Sequence, residues 1–131
     1  MAAPLAHRAR LVLVVDDEPL LLGIMERALC EAGYCVQSAS NGLRALELAL
    51  KWAAPPDMLV TDLRMDGLNG ADLARLITAR HPATRVLVVS GGDPDHTQVT
   101  WPFLRKPFAL EQLVEAVDRL LGVPGGVTAP G

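Results

Sequence analysis

Residues 11–20 read LVLVVDDEPL. Leu11–Val15 is an unbroken aliphatic run of strand length, suited to a strand buried on both faces. It delivers Asp16 and Asp17, with Glu18 next, to a single point. Two carboxylates about 4 Å apart repel by roughly 4 kcal/mol at an effective dielectric near 20, so the acids either face water or are compensated by something else. Pro19 is placed for a first helical turn. Leu21, Ile24, Met25, Ala28 and Leu29 then keep helical spacing up to Gly33, a C-terminal signal.

The same alternation continues along the chain. Tyr34–Ala39 reads as a second, less apolar strand, and Asn41-Gly42 opens a helix with Leu43, Leu46, Glu47 and Leu50 at helical steps. Ala54–Asp57 (APPD) breaks that helix. Met58–Thr61 is a third apolar run ending at Asp62, and a Gly-containing loop leads to a helix over Ala71–Arg80 with Leu73, Leu76 and Ile77 as its stripe. Arg85–Ser90 is a fourth strand and Phe103–Arg105 a short fifth. Leu110, Leu113, Val114, Val117, Leu120 and Leu121 fit one face of a last helix that Gly122 ends. Alternating strands and helices imply an α/β fold with a parallel sheet covered on both faces. Ligands of such sheets bind beyond the carboxyl ends of the strands. The polar residues lie there: Asp16 and Asp17 after the first strand, Asp62 after the third, Ser90 after the fourth and Lys106 after the fifth.

Composition bounds what this edge can do. The 131 residues suit one domain, flanked by an N-terminal extension (1–9) and a Pro/Gly-rich tail (122–131) expected to be flexible. Half the chain is hydrophobic, 4 % is aromatic and the net charge is −3, with no basic stripe for nucleic acid. No stretch is long and apolar enough to enter a membrane, and no signal peptide is visible, so a cytoplasmic location is expected. Cys30 and Cys35 read as two buried structural thiols. His7, His81 and His96 lack the spacing of a zinc site. Trp52 and Trp101 read as packing residues, and Glu18 as a solvated helix-start residue.

Three acids, a hydroxyl and an ammonium at one edge can hold a hard divalent cation. Mg²⁺ is favoured because it accepts few protein ligands and keeps several waters. With VLVVDDEP, GYCVQSASNGLRALEL, PDMLVTDLRMDGLNG, RVLVVSGG and FLRKPF in this order, the chain resembles the receiver domain of two-component response regulators from about Arg10 to Leu121. The resemblance implies a flavodoxin-like, doubly wound sheet of five parallel strands in the order 2-1-3-4-5. It implies Asp62 as phosphoacceptor, served by a histidine kinase or a histidine phosphotransfer protein. Asp17 is implied as a direct Mg²⁺ ligand, Asp16 as a helper through water, and Asp62 and the Arg64 carbonyl as further ligands. Lys106 is implied to pair with the phosphoryl oxygens and Ser90 to hydrogen-bond one of them. The Lys106–Pro107 bond is typically cis in the family. Ser90 and the aromatic residue at Phe103 form its switch, with Phe103 expected to be biased inward because it has no hydroxyl.

Three departures from the family pattern stand out. Met65-Asp66 replaces the usual Met-Pro, and Gly91-Gly92 follows Ser90 where alanine is usual. The Ser90-to-Lys106 interval is short, so the family's fourth helix is expected to be reduced or absent, which puts use of its usual output face in doubt. The expected function is a phosphorylatable signalling module without an output domain. It would act on an unknown downstream protein as a monomer or weak dimer, catalysing nothing beyond its own phosphorylation and dephosphorylation. A phosphorylation-independent interaction module is the alternative. A Mg²⁺-dependent phosphatase is a third class, disfavoured by the adjacent acids and the long gap to Asp62.

Overall fold

The computed structural model describes residues 10–52, 54–92 and 100–122. Its elements in chain order are β1 (Leu11–Val15), α1 (Pro19–Glu31), β2 (Cys35–Ala39), α2 (Gly42–Lys51), β3 (Met58–Asp62), α3 (Gly70–Arg80), β4 (Arg85–Ser90), β5 (Phe103–Arg105) and α4 (Leu110–Leu121). The five strands form one parallel sheet in the order β2-β1-β3-β4-β5, the flavodoxin-like topology. The chain steps outward from β1 to β2 and then returns past β1 to β3. The strand order therefore reverses between β1 and β3, which opens a crevice at their carboxyl ends. Asp16 and Asp62 stand at that crevice.

Successive strand residues point to opposite faces of the sheet, and each face has its own core. Leu13, Val15, Leu59, Val86 and Val88 meet Ala45 and Ala49 of α2 and Leu73, Ala74 and Ile77 of α3. Val12, Val14, Met58, Val60, Leu87 and Val89 meet Met25 and Leu29 of α1 and Leu113, Ala116 and Val117 of α4. Trp52, Trp101 and Phe103 pack against the first core, and the Arg75 guanidinium lies 5.9 Å from the centre of the Trp101 ring.

Some large residues of the helical stripes face outward. On α2 the buried positions are Gly42, Ala45 and Ala49, while Leu43 and Leu50, expected on the inner stripe, are exposed. Leu76 on α3 and Ile24 on α1 are likewise exposed. On α2 the first of the buried positions lies against the β3–α3 loop: a Cβ at Gly42 would stand 2.4 Å from the Leu68 carbonyl oxygen. Asn41 and Asn69 cap α2 and α3, each side-chain oxygen accepting a backbone N–H at 2.8 Å. Ala32 caps the C-terminus of α1, and Gly33 follows it with φ of 103°.

The cysteines correct the sequence reading. Both are free and exposed. Ser38 donates to Glu26 of α1 and Val36 packs into the α1–α4 core, so alternation turns Cys35 toward the opposite side of the sheet from Cys30 on α1. The expected shortening of the family's fourth helix falls on residues 93–99, which lie outside the described residues, as do the N-terminal extension and the tail from 123. Among the described residues, the helix that follows β4 is α4. No helix there is long and apolar enough to cross a membrane.

Candidate functional site

The ends of β1, β3, β4 and β5 each supply part of the site. Asp16 leaves β1 fully buried, with its Oδ1 accepting the Glu18 backbone N–H at 2.9 Å. Asp17, next in the chain, is exposed. Asp62 closes β3 and is 6 % exposed. Asp16, Asp17 and Asp62 each present a carboxylate oxygen within 4.8 Å of the others. The crevice thus concentrates negative charge, as the sequence demanded, and the compensation arrives from the far end of the sheet.

That compensation is Lys106. Its Nζ lies 2.9 Å from Asp16 Oδ2, 3.1 Å from Glu18 Oε1 and 3.5 Å from Asp62 Oδ2. Its backbone N–H is donated to the Ser90 carbonyl at 2.8 Å, fixing the end of β5 to the end of β4. The Lys106–Pro107 bond is cis. Glu18, read from sequence as solvated, is therefore a partner of Lys106, although its side chain is 63 % exposed. Asp16 Oδ2 is enclosed and no donor meets it in hydrogen-bond geometry, the lysine contact being ionic.

Burial raises the pKa of Asp62. Lys106 opposes that rise, and the neighbouring charges of Asp16 and Asp17 add to it, leaving the carboxyl above its ordinary value. Burial lowers the pKa of Lys106, but its close contacts with Asp16 and Glu18 and the charges of Asp16 and Asp62 outweigh burial, so its net shift is upward. The ammonium is thus firmly held as a cation at neutral pH.

Ser90 is buried at the end of β4, its Oγ accepting the Gly92 N–H at 3.3 Å. It pairs in register with Arg105, one residue before the lysine. Phe103 is half-buried against the α2–α3 core. Arg64 and Asp66, in the loop between β3 and α3, are exposed, and the Arg64 guanidinium passes over Gly92, where a Cβ would be 3.6 Å from it. The loop is shaped at Gly70, which packs directly on the Asp62 backbone.

Removing the ammonium tests the charge balance. Lys106→Met leaves Asp16 and Asp62 facing each other, and stripping a buried charge of its partner costs roughly 3–5 kcal/mol. We expect a loss near the lower end, about 3 kcal/mol, in denaturant unfolding at pH 7 without divalent cations. At that pH the lysine contribution is fully present in the wild type. It is lost only as pH rises above the ordinary 10.5 and through the raised value. An unchanged midpoint would show that the lysine does not compensate the acids.

The response regulator receiver domain family matches residues 12–118. The chain is 36 % identical over 118 residues to the DNA-binding transcriptional regulator NtrC of Escherichia coli (strain K12), covering 85 % of this chain and 24 % of that protein. It is 33 % identical over 126 residues to the sensor kinase CckA of Brucella abortus, covering 92 % of this chain and 13 % of the kinase. The chain thus spans a quarter or less of these curated relatives. Among solved structures, a response regulator receiver protein from Sinorhizobium medicae superposes with a TM-score of 0.81 at 32 % identity, over 88 % of this chain and 96 % of that one.

Proposed function

The chain belongs to the response regulator receiver domain family, and from that premise we propose that it accepts a phosphoryl group on Asp62 from a phosphohistidine of a kinase or phosphotransfer protein. The observation that supports this most is the convergence of Lys106, Asp16 and Asp62 from three different strand ends on one crevice. A carboxylate is a weak nucleophile toward an anionic phosphoryl group unless the charge on that group is screened. Here an Asp62 oxygen forms the new O–P bond while the donor P–N bond breaks, and the leaving imidazole takes up a proton. Lys106 would pair with the phosphoryl oxygens, and the Ser90 hydroxyl would donate to one of them after swinging toward the group.

The clustered hard oxygens and the enclosed Asp16 Oδ2 without a hydrogen bond fit a divalent cation. Asp16, Asp17, Asp62 and the Arg64 carbonyl would hold Mg²⁺. When bound, Mg²⁺ neutralises the charge that the incoming phosphoryl group brings. Phosphorylation adds nearly two negative charges and three strong acceptors, and Ser90 with Phe103 would carry that change to a partner surface. In this reading the chain works in the cytoplasm and turns over no substrate other than its own acyl phosphate. The retained set of acids and lysine weighs against a phosphorylation-independent module.

Incubation with acetyl phosphate and Mg²⁺, followed by intact-mass measurement, tests the reading. One added phosphoryl group, absent when EDTA replaces Mg²⁺, is expected. A protein that gains no mass under saturating donor and Mg²⁺ would overturn it.

A further inference from the structure

We propose that Glu18 is a positioning residue: it grips Lys106 in the unphosphorylated protein and gives the ammonium up to a phosphoryl oxygen when Asp62 is modified. The inference rests on Asp62 being the phosphoacceptor.

An ammonium has three N–H donors. In this site its two short contacts go to Asp16 Oδ2 at 2.9 Å and Glu18 Oε1 at 3.1 Å, and Asp62 Oδ2 is the most distant of the three at 3.5 Å. Glu18 also braces the other grip, since its backbone N–H holds Asp16 Oδ1. Asp16, Lys106 and Glu18 therefore close a ring that draws the lysine toward the β1 side of the crevice.

A phosphoryl group on Asp62 offers three strong acceptors and needs a donor from Nζ. Asp16 is fully buried, and a buried carboxylate left without its cation is costly. Glu18 is mostly exposed, so water solvates it when it lets go. The exchange falls on Glu18. Its side chain has no capping role to lose: it sits at the N-cap of α1 yet makes no side-chain cap hydrogen bond. Glu18 thus stabilises the unmodified state selectively, and removing its reach shifts the balance toward the modified state.

The experiment is equilibrium binding of beryllofluoride, a phosphoryl mimic, at saturating Mg²⁺ to the wild type, Glu18→Ala and Glu18→Asp. Aspartate keeps the charge but is one methylene shorter and is drawn to the helix cap. Both variants are expected to bind beryllofluoride about two- to fivefold more tightly, the scale of an exposed ion pair. The ¹⁵N resonance of Lys106 Nζ is expected to shift in both variants without metal, which a purely structural role of Glu18 would not produce. Wild-type affinity in both variants would overturn the inference. So would tighter binding in Glu18→Ala alone, because charge and not contact would then be responsible. A wild type that binds no beryllofluoride and takes no label from acetyl phosphate would instead overturn the assignment of Asp62.

Discussion

Asp62→Asn is expected to take no phosphoryl group from acetyl phosphate and, in metal-free buffer at pH 7, to unfold at a higher temperature than the wild type. The first result follows from chemistry, because the amide offers no carboxylate oxygen to form the O–P bond. The second follows from the environment of Asp62. Burial, reinforced by Asp16 and Asp17, raises its pKa despite Lys106. A carboxyl with a raised folded pKa binds its proton more tightly folded than unfolded. Below the ordinary value of 3.8 it is protonated in both states and carries no penalty. As pH climbs from there through the raised folded value, the unfolded chain ionises first and stability falls. Above that value the loss is constant. The amide never ionises, so the advantage of the variant grows across this window and then levels off. Thermal unfolding from pH 3.5 to pH 8 in EDTA measures it. A variant that is labelled normally, or is less stable than the wild type at pH 7, would contradict the account.

Gly70→Ala is expected to be among the most damaging single-methyl changes in the chain. A Cβ at position 70 would lie 2.0 Å from the Asp62 carbonyl oxygen, 2.9 Å from its carbonyl carbon and 3.0 Å from the Leu63 Cα. All three atoms are backbone, so no side-chain rotation relieves the clash; either α3 or the end of β3 must move. The hydrogen bond from the Gly70 N–H to the Leu63 carbonyl, 2.9 Å long, is strained with it. Overpacking of this kind costs about 1–3 kcal/mol and more where backbone must shift, so a loss of about 3 kcal/mol is expected. For a domain of this size that lowers the melting temperature on the order of 10 °C. Because two of the three displaced atoms belong to Asp62, labelling by acetyl phosphate should fall further than the folded fraction does. Gly23→Ala is the control: nothing lies within 4 Å of a Cβ there, and alanine in mid-helix stabilises by about 0.5–1 kcal/mol. Equal melting temperatures for the two variants would refute the close-packing argument.

The sequence by itself determined the alternation of strands and helices, the carboxyl edge as the place of chemistry, and the acids, serine and lysine gathered there. It could do so because these signals are local: an aliphatic run of strand length, a polar residue at its end and a helix signal after it are all read from near neighbours. Tertiary structure alone decided which helix faces turn inward and which side chains meet Nζ. Leu43, Leu50 and Leu76 carry the right spacing for a core, yet Ala45 and Ala49 of α2 and Leu73, Ala74 and Ile77 of α3 occupy it, because the rotation of each helix about its axis is set by packing against the whole fold. Asp16 and Asp17 are neighbours of one chemical type, but Asp16 follows directly on the buried end of β1 while Asp17 lies in the bend toward α1, so one is buried and the other exposed. Glu18 looked like an ordinary helix-start acid because its partner is 88 residues away. No local pattern encodes a contact that exists only once β1 and the end of β5 are folded into one sheet.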